Sequence, residues 1–185
     1  MNVLRLTLAH ADAQALDAQA LLVPVDGAIC RLGGAAAAAL RAALAPEERD
    51  DELEYVTDQL ERMPPLVDGD ACVIDGVARW SHLVVSAAYP HDVNDRHFTP
   101  DDCATRLRVA LPRAFEVAAA AGIASLAMTV IGTAYRLPGD LAVRAQVDAL
   151  AAAARVDLHV RWAFREPSLL EEARTAAARL GLALA

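Results

Sequence analysis

Residues 20–44 read ALLVPVDGAICRLGGAAAAALRAAL, and this stretch decides the fold. Its apolar beginning, residues 20–25, is typical of a short buried strand, and the alanine-rich run from residue 35 is typical of a helix. Leu32, Gly33 and Gly34 lie between the two. Because glycine has no Cβ that would keep a ligand away from the backbone, the amides at the start of such a helix form a cradle for an anion.

The second half of the chain contains another turn of this kind. An apolar strand is predicted over residues 126–131, Gly132 and Thr133 follow it, and a helix is predicted to begin at Gly139. Two amide-rich turns from strand to helix in one small domain indicate a single ligand whose phosphates bind between them.

Strands and helices alternate along the whole chain. Apolar patterning predicts strands near residues 3–8, 20–25, 71–74, 83–87, 126–131 and 158–164. Helices are predicted over residues 35–44 and 47–62, from Pro100 with Thr99 as its cap, from Gly139, and before Gly181. This order predicts an α/β fold with a mostly parallel sheet covered on both faces. Ligands of such sheets bind beyond the carboxyl ends of the strands, where both glycine turns are expected to lie.

Length and charge limit the class of protein. A chain of 185 residues is typical of one domain, so we expect residues 1–185 to form a single domain. The net charge of −8 argues against general nucleic-acid binding, which needs clustered cations. All 17 basic residues are arginine, which excludes chemistry that depends on lysine, such as a phosphate-loop lysine or a pyridoxal Schiff base.

The sequence shows no pattern typical of a membrane span, a signal peptide or a metal site. No segment approaches the ~18 consecutive apolar residues of a membrane span, so we expect no membrane association. The first residues lack the charged and apolar regions of a signal peptide, and we expect a cytoplasmic protein. Cys30, Cys72 and Cys103 do not have the spacing of a metal site, so we expect neither a metal nor a cofactor.

Six short motifs occur in a fixed order along the chain. They are ADAQ at 11–14, LVPVD at 22–26, LGGA at 32–35, DGDA at 68–71, VVSAAYP at 84–90 and IGTA at 131–134. Their order and spacing resemble those of the macrodomain, the ADP-ribose-binding α/β/α module, over essentially the full length. The corresponding macrodomain segments are a GDIT-like turn, the NAAN strand, a glycine-rich loop, TGEA, VIHAVGP and the ISTG turn.

This resemblance implies a three-layer α/β/α fold with a central mixed, mostly parallel sheet, and a module that binds ADP-ribose or a related nucleotide diphosphate. The ligand would be free or carried by an ADP-ribosylated protein. Asp12 would accept from the adenine amino group, Asp26 would contact a ribose and Phe164 would stack on the adenine. The residues expected around the phosphates are Gly33, Gly34, Gly132, Thr133, Ala134, Tyr135 and Arg136.

Each of these residues also has an ordinary structural interpretation. Asp12 could cap a turn, and Asp26 precedes Gly27 in a dipeptide that is common in turns. Gly33 and Gly34 could serve close packing of a helix, and Thr133 could cap its own turn. Exposed arginines such as the one predicted at Arg136 usually have no special role.

The sequence departs from the macrodomain pattern within the expected site. Asp26 replaces the last asparagine of NAAN, Ala36 stands where hydrolytic members carry an acidic residue, and Ser86 replaces a histidine. We therefore expect a binding module rather than an enzyme. One alternative is a hydrolase of ADP-ribosyl derivatives with a non-standard catalytic set, in which Asp26 and His91 are candidates together with Asp92 and His97. The other alternative is a fold-only relative that acts in protein interaction.

Overall fold

The computed structural model describes residues 3–26, 32–67, 69–89, 98–133 and 137–184. Its strands are β1 (Arg5–His10), β2 (Ala20–Pro24), β3 (Ala71–Asp75), β4 (His82–Ser86), β5 (Ser125–Met128) and β6 (His159–Phe164). Its helices are α1 (Gly34–Ala43), α2 (Arg49–Arg62), α3 (Pro100–Ala120), α4 (Gly139–Ala152) and α5 (Pro167–Arg179), and a 3-10 turn covers Ala13–Ala15. The predicted α/β class is confirmed.

The strands form one sheet in the order β1-β6-β5-β2-β4-β3. β1, β6, β5, β2 and β4 run parallel, and β3 pairs with β4 in the antiparallel sense. The prediction of a mixed, mostly parallel sheet is therefore confirmed. Parallel strands direct their carboxyl ends to the same edge, so the segments that follow β1, β2, β5 and β6 emerge close together.

Helices cover the sheet on both faces. One face packs against α3, α4 and α5 around buried Phe115, Trp162 and Leu111. The other face packs against α1 and α2 around buried Trp80 and Leu40. The two cores give the expected three-layer α/β/α architecture, in which one sheet separates two sets of helices.

Local sequence accounts for where two of the helices begin. At α3, the Thr99 hydroxyl accepts from the Asp102 backbone N–H at 3.2 Å, and the Asp102 carboxylate accepts from the Thr99 N–H at 2.8 Å. This reciprocal pair is a capping box, and it confirms the predicted cap. At α1, Gly33 is the N-cap and Gly34 has a φ of +63°, a left-handed conformation that favours glycine.

Strand β5 is shorter than the sequence indicates. The apolar pattern predicts a strand over residues 126–131, but β5 ends at Met128, and its pairing with β2 covers only Leu126 and Ala127. After this point the side chain of Gln146 on α4, rather than a neighbouring strand, pairs with the backbone of Ile131. The chain thus leaves the sheet before the Gly132–Thr133 turn begins.

None of the helices in the described ranges is long and apolar enough to cross a lipid bilayer.

Candidate functional site

A cavity of about 190 Å³ lies at the carboxyl edge of the sheet. Its lining comes from residues 11–14 after β1, from Ala35 and Ala39 of α1, from Thr129, Val130 and Thr133 after β5, and from Ala163, Arg165, Glu166 and Leu169 around the end of β6. Four segments that are far apart in the chain therefore meet around one space. The beginning of α1 and the turn after β5 both border this cavity.

The first wall of the cavity is the beginning of α1. The backbone amides of Gly34, Ala35 and Ala36 have no acceptor within the residues that the structure describes. This is the usual state of the first amides of a helix, and it leaves them available to an anion. A Cβ built on Gly33 or on Gly34 would meet no atom of the described residues within 4 Å, so none of them fills the space in front of the two glycines.

The second wall is the turn after β5. Thr133 is exposed and lines the cavity, whereas Gly132 is buried behind it. Gly132 has a φ of +105°, and a Cβ at this position would lie 2.7 Å from Cδ2 of Leu137. Glycine is therefore required here for the shape of the turn.

Gln146 holds this second wall in place. Its side chain is fully buried, accepts from the Ile131 N–H at 3.2 Å and donates to the carbonyls of Ile131 and Ala142 at 3.3 and 2.9 Å. Sequence reasoning missed this residue, although one signal was present. Gln146 is a polar residue adjacent to Val147 in a helix whose buried positions are otherwise apolar, and a buried amide needs hydrogen-bond partners.

The third wall contains an ion pair that the sequence did not indicate. Nε of Arg165 donates to Oδ1 of Asp12 at 2.6 Å, and the carbonyl of Arg165 accepts from Nε2 of His10 at 3.1 Å. Asp12 follows β1 and Arg165 follows β6, and these strands are neighbours in the sheet. The carboxylate expected to contact a base is thus already paired with a guanidinium.

Phe164 does not have the expected position. We predicted that it would offer a face to the adenine, but it is fully buried and its ring lies 4.6 Å from that of Trp162. Side chains two residues apart on a strand point to the same side, and for this pair that side is the core beneath α3, α4 and α5. Phe164 is therefore a core residue, and we correct its assignment as a stacking platform.

The remaining predicted residues divide into two groups. Asp26 is half-buried two residues after the end of β2 and is not among the described residues that line the cavity. Ala134, Tyr135, Arg136 and His91 lie outside the described residues, as do Asp92 and His97.

Few charged side chains line the described part of the cavity. Among its described lining residues, the charged ones are Asp12, Arg165 and Glu166. Within the described ranges, no group of three or more His, Cys, Asp or Glu side chains could hold a metal ion. An anion bound here would depend chiefly on backbone amides, which attract negative charge without any net charge of their own.

Fold and site together define a three-layer α/β/α protein with an amide-bordered cavity at the carboxyl edge of its sheet. No family model matches the sequence, and no curated protein is similar to it. Solved structures are similar over nearly the whole chain. A single-site mutant of the Oceanobacillus iheyensis macrodomain with ADPR has a TM-score of 0.68 at 16% identity, with 97% of this chain and 94% of that chain covered.

Two further structures give the same result. The Oceanobacillus iheyensis macrodomain with ADP has a TM-score of 0.67 at 17% identity, over 94% of this chain and 90% of that one. The Trypanosoma brucei macrodomain in complex with ADP-ribose has a TM-score of 0.66 at 13% identity, over 92% of this chain and 68% of that one. The protein has the macrodomain fold.

Proposed function

We propose that this protein binds ADP-ribose, or a related nucleoside diphosphate, in the cavity at the carboxyl edge of its sheet. The ligand would be free or attached to an ADP-ribosylated protein. One observation carries the proposal. The first amides of α1 and the Gly132–Thr133 turn border the same cavity, and Gly34, Ala35 and Ala36 have no acceptor for their amides within the described residues.

Backbone amides explain how an acidic protein without lysine holds a diphosphate. The chain has a net charge of −8, so its overall field repels anions. One helix terminus contributes only ~0.3 to 1 kcal/mol when exposed, and binding therefore needs several amides that act together. In this proposal the amides come from two turns, the beginning of α1 and the Gly132–Thr133 turn after β5.

The charged side chains suggest how the ligand is oriented. Asp12 would repel a phosphate, but its carboxylate can accept a hydrogen bond from the amino group of a base. The base would therefore lie near Asp12 and Arg165, and the diphosphate near Ala35 and Thr133. The enclosed volume of about 190 Å³ is below the ~300 to 1,000 Å³ typical of ligand sites, so part of the ligand would extend beyond the cavity.

Binding is favoured over hydrolysis by the residues at the cavity. Ala36 stands where the resemblance places an acidic residue, and its side chain offers no group for proton transfer. Of the catalytic candidates, Asp26 is not among the described residues that line the cavity. We therefore propose a binding module.

Titration calorimetry with ADP-ribose tests the proposal, using Gly33→Glu and Gly33→Gln as a matched pair of variants. Both side chains enter the open space in front of α1, and the φ of −151° at Gly33 is extended backbone that any residue adopts. Only Gly33→Glu adds a negative charge. We expect the wild type to bind, and Gly33→Glu to lose more affinity than Gly33→Gln. Folded wild-type protein that does not bind ADP-ribose at millimolar concentration would contradict the proposal.

A further inference from the structure

Four polar side chains share one face of the sheet on the neighbouring strands β1 and β6. The parallel register places Arg5 beside His159, and Thr7 beside Arg161. Val160, between the two β6 residues, points into the core beneath α3, α4 and α5, so alternation directs the four polar side chains to the opposite face. We call these four residues the β1–β6 cluster. On the spacing of a parallel sheet, its two arginines have Cα atoms about 8 Å apart.

The helices on this face leave the β1–β6 cluster partly open to solvent. α1 packs against β2, and α2 lies toward β3, where Gln59 pairs with the backbone of Asp75. β3 is the edge strand opposite β1. Arg5 is accordingly exposed, and the other three members of the cluster are half-buried. A small ligand can therefore reach all four side chains from one side of the sheet.

The two arginines of the cluster have no acceptor among the described residues. Neither Arg5 nor Arg161 makes an ion pair or a side-chain hydrogen bond within the described ranges. Nε of Arg161 is moreover buried without a partner, and an unsatisfied buried donor on a charged group lowers stability. Packing alone does not account for this arrangement, whereas an anion placed between the arginines would supply the missing acceptors.

The charge of the cluster is not balanced by a described carboxylate. Asp157 and Arg5 both line an open groove at the amino edge of the sheet, yet they form no ion pair. Burial lowers the pKa of His159, and the positive charges of Arg161 and Arg5 lower it further. Both guanidiniums therefore act on one imidazole. The result is a local positive potential in a chain whose net charge is −8.

We propose that the β1–β6 cluster binds the phosphate group of a phosphate monoester. The two guanidiniums balance a phosphate dianion, and each can donate two parallel hydrogen bonds to its oxygens. Nε2 of His159 lies 2.8 Å from Oγ1 of Thr7. When the imidazole donates in this pair, the Thr7 hydroxyl is left to donate to a third phosphate oxygen. A carboxylate, with two oxygens and one charge, would use this set of donors less completely.

This site is separate from the cavity of the proposed function. None of the four cluster residues lines that cavity, which lies beyond the carboxyl ends of the strands. The cluster lies nearer the amino ends of β1 and β6, at Arg5 and His159, where these two strands begin. The protein would thus bind phosphate groups at two places, through backbone amides at one and through arginine side chains at the other.

The test uses inorganic phosphate as the probe and the imidazole of His159 as the reporter, because this ring neighbours both arginines. In NMR titrations at constant ionic strength, we expect phosphate to shift the His159 imidazole signals saturably. It should also raise the pKa of His159, since a nearby dianion favours the protonated ring. Arg161→Gln and Arg5→Gln should each weaken binding about fivefold or more. The matched control is Arg62→Gln, which removes the same charge from α2 and should leave binding unchanged.

Each other outcome overturns the inference. Phosphate that shifts the amides of Gly34 and Thr133 but not the ring of His159 would confine anion binding to the cavity and leave the proposed function intact. Succinate that shifts the His159 signals at the same concentrations as phosphate would assign the cluster to carboxylates. Folded arginine variants that bind phosphate as tightly as the wild type would show that these side chains do not hold the ion. Failure to bind ADP-ribose would overturn the proposed function alone, since the His159 signals report on the cluster separately.

Discussion

Gln146 forms two hydrogen bonds to the backbone of Ile131, as a neighbouring strand would. Its side-chain oxygen accepts from the Ile131 N–H at 3.2 Å, and its side-chain nitrogen donates to the Ile131 carbonyl at 3.3 Å. Both residues are buried, and Ile131 immediately precedes the turn that borders the cavity. The position of that turn therefore depends on a side chain of α4 rather than on the sheet.

Replacing Gln146 with leucine should destabilise the protein strongly. The change leaves the N–H and carbonyl of Ile131 buried without partners, and one unsatisfied buried group costs about 1 to 3 kcal/mol. We expect the free energy of unfolding, measured by urea denaturation, to fall by about 2 kcal/mol or more. Gln59→Leu is a matched control, because Gln59 makes the same two bonds to the backbone of Asp75 at the exposed surface. Equal losses for the two variants would contradict the role of burial.

Gly132→Ala should distort the turn that Gln146 holds. The new Cβ would lie 2.7 Å from Leu137, and φ is +105° at this position. Left-handed backbone costs about 1 to 2 kcal/mol and overpacking about 1 to 3, so a loss of about 2 to 5 kcal/mol is expected.

The control for this variant is Gly122→Ala. Gly122 also has a positive φ, of +78°, but no atom lies within 4 Å of the added Cβ. We expect it to lose only the backbone contribution of about 1 to 2 kcal/mol in the same urea experiment. A Gly132→Ala variant that is no less stable than Gly122→Ala would mean that Leu137 moves aside without cost.

The stability of the protein should fall as the pH decreases below about 6.5 because of His159. Burial lowers the pKa of His159, and the nearby charges of Arg161 and Arg5 lower it further. The unfolded chain therefore binds a proton at a higher pH than the folded protein does. This contribution is fully favourable above the unfolded pKa of about 6.5 and is lost as the pH falls toward the lower folded pKa.

His159→Gln isolates this effect, since an amide does not titrate and can still pair with the Thr7 hydroxyl, which lies 2.8 Å from Nε2 of His159. We expect urea denaturation between pH 7.5 and 5 to give a smaller decrease in stability for the variant than for the wild type. If the two proteins lose stability in parallel, His159 is not the group responsible.

The sequence predicted the fold well because apolar patterning marks the buried strands and helices, and their alternation, along the whole chain. The strands and helices occur in the predicted order, and the Thr99 cap is confirmed. Strand β5 was predicted too long because Thr129, Val130 and Ile131 are residue types that favour strands, while the backbone of Ile131 pairs with a side chain. Pattern alone does not distinguish these two ways of pairing a backbone.

The site was predicted less completely, for physical reasons. Asp12 and Arg165 are 153 residues apart, and their contact exists only because β1 and β6 are adjacent, which the order of elements does not specify. Phe164 shares a face with Trp162 in any strand, but whether that face is core or cleft depends on where the helices pack. The contacts and burial of these residues therefore depend on the tertiary arrangement, which the sequence pattern does not record.

The central claim, that backbone amides from two turns hold one anionic ligand, is tested most directly by amide-resolved NMR during titration with ADP-ribose. We predict that the ¹H–¹⁵N signals of Gly34, Ala35, Ala36 and Thr133 shift together with one binding curve. Those of Gly122 and Gly181, which do not border the cavity, should stay in place. Saturable binding that leaves the α1 amides unshifted, or that shifts only one of the two turns, would contradict the account.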